Sequence, residues 1–268
     1  MSNDIRIKKG LDINLVGEAE KSIEAAVVSK FYSIRPEDFH GVIPKMITKV
    51  GSKVKAGETV FYDKGNESVK FVSPVSGEII EIARGEKRRI LDIKIQSDDQ
   101  QTYQDNGKVD IDKASAEDIK THLLNAGCWP FVKQRPYDVI ANPEKSPKAI
   151  FISAYASAPL AADYDFTLKG KEAELQAAID ALSKLTEGAI HVSVGKGSTS
   201  LFSGLNNVTL HTVSGPHPSG NVGTLINKVD PINKGEVVWT VTPQDLVIIG
   251  ELLLTGKFNA ERVIAMAG

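Results

Sequence analysis

Gly51, Gly57, Gly65, Gly77 and Gly85 cut the chain between Phe39 and Ile95 into β-type runs, among them Thr59-Val60-Phe61, Val69 to Val72, Ile79 to Ile82 and Ile90 to Ile95. Runs this short leave no room for a helix of ordinary length. Short strands joined by tight turns remain, because glycine alone takes positive φ without steric cost. A compact all-β module follows. The first 35 residues read as extended, with Ile5, Ile7, Leu11, Ile13 and Leu15 alternating with other residues around a turn at Lys8-Lys9-Gly10.

The pattern changes after residue 97. Ser97 to Gly107 is polar and reads as linker. Ser115-Ala-Glu-Asp118 has the form of a capped helix start, continued by Ile119, Leu123 and Leu124 and stopped by Gly127. Beyond it, strand patterns at Ala149–Ser153, Ala189–Val194, Val208–Val213 and Val237–Val241 surround a helical stretch from Lys171 to Leu185 with Leu175, Ala178, Ile179 and Leu182 on one face. Strand alternating with helix predicts an α/β layer with a largely parallel sheet. The division expected is 1–97 for the N-terminal strands and β-sandwich, 98–126 for linker and helix, and 127–268 for the α/β domain.

Composition removes several function classes. Lysine plus arginine (32) against aspartate plus glutamate (34) gives a net charge of −2, so nucleic acid is not an expected partner and no basic excess marks a lipid-facing side. The single cysteine, Cys128, excludes a disulfide framework or cysteine-built cluster within the chain and suits a reducing compartment. No targeting run opens the sequence, and Leu246 to Leu254, broken by Gly250 and Glu251, is too short to span a bilayer.

Four motifs carry candidate chemistry. Lys64, in Asp63-Lys-Gly65 between two β runs and without Met-Lys-Met around it, reads as part of a structural turn, with a lysine that receives a swinging cofactor as the alternative. Gly195-Lys-Gly-Ser198 after a strand invites a phosphate-loop reading, but lacks the glycine spacing of a nucleotide fingerprint. Ser214-Gly-Pro-His-Pro-Ser-Gly-Asn-Val-Gly-Thr224 fixes His217 between two prolines, as a placed imidazole, a partner-facing surface or a structural group. Trp129 and Phe131, in Ala126-Gly-Cys-Trp-Pro-Phe131, offer either a flat contact for a planar ring or a hydrophobic plug. Cys128 beside them reads as a packed thiol. The remaining histidines, His40, His122, His191 and His211, show no metal-ligand spacing.

The Val50-Gly-Ser-Lys-Val-Lys-Ala-Gly57 turn followed by Ser73-Pro-Val-Ser-Gly77 resembles biotinyl and lipoyl carrier sandwiches. With Phe39-His-Gly-Val-Ile-Pro44, Ala126 to Phe131, Ala158-Pro-Leu-Ala-Ala-Asp-Tyr164 and Ser214 to Pro218, the whole chain resembles the A subunits of bacterial sodium-translocating NADH:quinone oxidoreductases. That resemblance implies a carrier-like sandwich plus a Rossmann-like α/β domain with a degenerate nucleotide site. It also implies continuation into a β-grasp-type domain beyond this chain. Relatives of the architecture, the C subunit of the Rnf complex together with the flavoprotein subunit of complex I, imply a glycine loop for flavin and nicotinamide. Here Trp129 and the Tyr155-Ala-Ser-Ala-Pro159 stretch stand where that loop and its acidic partner belong. The implied role is a peripheral subunit on the cytoplasmic face of the bacterial inner membrane, in a six-subunit complex that oxidises NADH, reduces ubiquinone and exports sodium. Flavins and an iron–sulfur centre would reside on partner subunits and no cofactor on this chain. The implied quinone contacts are Trp129, Phe131 and His217; a purely structural docking subunit is the alternative.

Overall fold

The computed structural model describes residues 4–17 and 20–266. In chain order the strands of the first part are β1 (Asp4–Arg6), β2 (Phe31–Ile34), β3 (Pro44–Met46), β4 (Lys53–Val54), β5 (Thr59–Asp63), β6 (Asn66–Val72), β7 (Gly77–Arg84) and β8 (Ile90–Ser97). Then follow α1 (Ala116–Asn125), β9 (Lys133–Arg135), β10 (Val139–Ile140), β11 (Ile150–Ser153), α2 (Tyr164–Thr167), α3 (Glu172–Ser183), β12 (Ile190–Gly195), β13 (Thr209–Ser214), α4 (Val222–Val229), β14 (Val238–Thr240) and α5 (Pro243–Thr255).

Two antiparallel sheets, ordered β2-β8-β7-β4 and β3-β5-β6, form the sandwich. Alternation along the strands turns Ile79, Ile93 and Ile95 inward from one sheet and Phe61 and Phe71 from the other. Phe61 and Phe71 stack with centroids 4.5 Å apart. Lys64 and Gly65 form the exposed two-residue tip between β5 and β6, where Asp63 Oδ1 accepts from the Gly65 and Ile43 backbone N–H groups.

The second sheet has seven strands in the order β1-β13-β12-β11-β14-β9-β10, parallel from β1 to β14 and antiparallel at β9 and β10. On one face Ile150, Ile152 and Val192 meet α3 and α5; on the other Phe151, Val213 and Ile5 meet Leu225 and Ile226 of α4. The predicted α/β layer is therefore present. Its α5 was hidden in the sequence because it is apolar nearly all round, as a doubly covered helix must be. Thr242 caps it, Pro243 starts it and Gly256 at φ +77° ends it. An added Cβ on Gly250 would stand 1.8 Å from the Glu174 carbonyl oxygen, so the two helix backbones touch there.

Two local expectations differ from the structure. Among the described residues before Phe31, Asp4–Arg6 alone forms a ladder, and it pairs in parallel with β13 of the α/β sheet rather than with the sandwich. Leu11, Ile13 and Leu15 run on extended but exposed, without a strand partner.

One apolar core runs through both parts, from Ile79 and Phe71 in the sandwich to Leu123 in α1, Trp129 after it and Leu246 in α5. Gly127, at φ +74°, lets Val72 approach so closely that a Cβ would lie 2.4 Å from its methyl group. The capping box at Ser115 forms as predicted: Asp118 N–H donates to the serine oxygen and the Asp118 carboxylate accepts from Ser115 N–H.

Candidate functional site

In open α/β sheets ligands collect at the carboxyl ends of the parallel strands, where strand order reverses. Here β11, β12 and β13 step outward in one direction and β14 returns to the other side of β11. The loops that follow β11, β12 and β13 carry Tyr155 to Pro159, Lys196 to Ser200 and Gly215 to Asn221.

These loops are stitched to one another. Ser153 Oγ donates to the Gly220 carbonyl at 2.7 Å and lies 3.1 Å from Ser193 Oγ. The Gly220 N–H donates to Ser157 Oγ at 2.7 Å, and the same hydroxyl shares a hydrogen bond with His217 Nδ1 at 3.1 Å. A Cβ on Gly220 would meet Ser157 N at 2.5 Å and Tyr155 O at 2.6 Å. The loops after β11 and β13 thus close over the end of β12 with no side-chain volume between them.

The N-terminal segment seals the same edge. Continuing from β1, Ile7 N–H donates to Ser214 O, Leu11 N–H donates to His217 O at 3.0 Å, and His217 N–H donates to Asp12 Oδ1 at 2.8 Å. A Cβ on Gly10 would lie 2.1 Å from His217 O, and one on Gly215 would lie 2.1 Å from Ile7 O. Farther on, Lys21 pairs with Asp163, the residue capping α2 after β11, and Lys196 after β12 pairs with Asp4.

Part of this edge is closed to a pyrophosphate: Gly215 and Gly220 meet the chain's own backbone, and α3 begins with Glu172 and Glu174, which repel an anion at a helix start. Gly195 of the supposed phosphate loop faces the Tyr155 ring, and Ser200 caps a short 3-10 turn at Leu201–Gly204. Among the described residues no group of three or more His, Cys, Asp or Glu is placed to hold a metal ion.

The three aromatic candidates do not converge. Trp129 is fully buried, its Nε1 donating to Ala141 O at 2.7 Å and its ring edge-on to Trp239 at 5.4 Å. Of the two readings of Trp129 this burial matches the plug, since the indole offers no surface. Phe131 is half-buried, stacked on Phe258 at 6.1 Å with the Arg262 guanidinium 5.4 Å from its centroid. Arg262 also reaches the buried Asp245 carboxylate at 2.5 Å. His217 belongs to the β13 loop, three strand positions from β14, or about 14 Å across the sheet.

Cys128 is buried, and desolvation together with the charge of Asp245 pushes its thiol far up, out of the reactive range. Sequence reasoning missed one polar pair: His191 Nδ1, half-buried, and His211 Nε2, buried, lie 3.0 Å apart on neighbouring strands. Burial first, and the neighbouring His211 second, lower His191 to about 4. The signal available was parity: with β12 and β13 adjacent in parallel, His191 and His211 fall on one face.

The comparisons agree with this architecture. Residues 5–98 match the NqrA N-terminal barrel-sandwich hybrid domain and residues 114–258 the NqrA second alpha/beta domain. The A subunit of the Na(+)-translocating NADH-quinone reductase from Pseudomonas aeruginosa (strain PAO1) is 36% identical over 267 residues, covering 98% of this chain and 59% of the relative. Its counterparts from Marinomonas sp. (strain MWYL1) and Neisseria meningitidis serogroup A are each 35% identical, over 98% of this chain and 59% and 60% of theirs. The chain therefore spans about three fifths of the length of these relatives. With both domain patterns in order and identity above a third throughout, the chain belongs to the NqrA family.

Proposed function

We propose that the chain, as the N-terminal part of an A subunit, serves a membrane complex that oxidises NADH, reduces ubiquinone and exports sodium. It works there as a peripheral docking and support module, on the cytoplasmic face, while flavins and iron–sulfur chemistry reside on partner subunits. The observation that carries the support role is the closed carboxyl edge: Gly10 against His217 and Gly220 against Ser157 put protein backbone where a nucleotide-binding sheet keeps its crevice. No helix among the described residues is long and apolar enough to cross a membrane, and this reading assigns attachment to partners or to the surface.

A direct quinone contact is the second reading, favoured by Phe131 and His217, whose rings stay partly exposed. Trp129 then acts only by holding the backbone beneath Phe131.

Titrating the purified chain with a short-chain ubiquinone, with flavin mononucleotide and with NADH, while following the emission of Trp129 and Trp239, separates the readings. The support role expects no saturable change with any of them. Saturable quenching by quinone, lost in Phe131→Ala, transfers the chain to the quinone-contact reading. In the assembled complex, His217→Ala is expected to lower the amount of complex recovered and not the turnover of what assembles.

A further inference from the structure

The charge balance of the whole chain conceals a one-sided stretch. Between Asp38 and Glu58 there is no acidic residue, while Lys45, Lys49, Lys53 and Lys55 fall within it. Three large apolar residues in the same stretch face solvent: Ile43 is 61% exposed, Ile47 57% and Val50 55%.

The topology places all of these at one edge of the sandwich. β3 is the outer strand of the three-stranded sheet and β4 the outer strand of the four-stranded one, joined by a turn in which Ser52 N–H donates to Lys49 O. Alternate positions of an extended strand share a face. Ile43, Lys45, Ile47 and Lys49 therefore point the same way, while Val42, Pro44, Met46 and Thr48 lean toward the sandwich. The four lysines are exposed, and none enters an ion pair among the described residues. Lys53 lies opposite Glu78 in the β4–β7 ladder and the Glu58 carboxylate accepts from the Lys55 backbone N–H, so Lys45 and Lys49 carry most of the uncompensated charge. Nearby Asp63 is engaged by backbone N–H groups.

We propose that this edge is a membrane-contacting surface that takes anionic phospholipid headgroups on Lys45 and Lys49 and seats Ile43, Ile47 and Val50 among the upper acyl carbons. Charge complementarity names the headgroup, since exposed lysines in this density attract an anionic surface and apolar side chains interleaved with them match its boundary with the acyl region. Shape separates lipid from an acidic peptide. An added strand needs a continuous row of edge donors, which Pro44 at the start of β3 interrupts. Neither of the cavities flanking α1, of 290 and 340 Å³, includes any residue of this stretch.

The test is co-sedimentation of the 268-residue chain with vesicles of equal parts phosphatidylglycerol and phosphatidylcholine, against pure phosphatidylcholine. Binding to the anionic vesicles alone, weakening as salt is raised, is expected. Lys45→Gln with Lys49→Gln is expected to lower the partition roughly tenfold or more, from the ordinary contribution of a lysine near an anionic surface. Ile47→Ser, with charge intact, is expected to lower it as well. These positions are exposed, so the fold survives the changes, and unaltered circular dichroism confirms it. Lys228→Gln on α4 serves as the control and leaves the partition unchanged. Equal binding to both vesicle types, no binding to either, an equal loss in the control, or capture of polyglutamate in place of vesicles would each overturn the proposal.

Discussion

Gly10 and His217 are held backbone to backbone: the histidine carbonyl accepts from Leu11 N–H at 3.0 Å, and its oxygen lies 2.1 Å from where a Cβ on Gly10 would be. The residue that looked like part of a surface turn is the point at which the N-terminal segment locks onto the proline-rich loop after β13. The density of proline and glycine in Ser214 to Thr224 has its explanation here. A rigid loop presents carbonyls at fixed positions, and glycines on both sides let the two segments meet.

Gly10→Ala is accordingly expected to destabilise the chain by about 1–3 kcal/mol, the usual cost of forcing extra atoms into a filled contact. Gly215→Ala adds strain at φ +119° to a clash with Ile7 O and is expected to cost at least as much. Urea unfolding measures both. Limited proteolysis should then cut residues 11–30 faster in either variant, and unchanged cleavage would mean the segment is not held by this contact.

Trp129 anchors the junction of sandwich and α/β layer. Trp129→Phe keeps most of the volume but leaves the buried Ala141 carbonyl without its donor, for an expected loss of about 1–3 kcal/mol. Trp129→Ala also opens a cavity beside Trp239, for about 3–5 kcal/mol. Thermal unfolding with both domains followed separately should show them lose stability together, because the core between them is continuous.

The His191–His211 pair sets an acid limit. His191 is lowered to about 4 by burial and then by His211, so the folded chain resists a proton that the unfolded chain takes up near 6.5. Its contribution is present in full above the unfolded value. It is lost progressively as pH falls from about 6.5 to about 4, where the folded imidazole also protonates. A stability profile across that window should slope upward with pH, and His191→Gln should flatten it.

Cys128 is expected to stay unmodified by a maleimide in the native chain at neutral pH and to react at once in denaturant. Burial removes access, and the raised thiol value removes the thiolate. Labelling of the folded chain at the rate of free cysteine would contradict the buried placement.

Local patterns carried much of this protein. Glycine spacing from Phe39 to Ile95 demanded short strands, and the sandwich follows because such strands bury their alternate faces only against a second sheet. The capping box at Ser115 and the apolar stripe of α3 were legible because both are set within a few residues. α5 escaped since periodicity vanishes when a helix is buried on nearly every side. What only the tertiary structure decided are contacts between segments far apart in sequence. Asp4–Arg6 joined β13 across about two hundred residues, and Trp129 became core. A sequence records how each residue suits its neighbours along the chain; which strand ends meet, and which ring is left facing water, depends on how complete sheets pack.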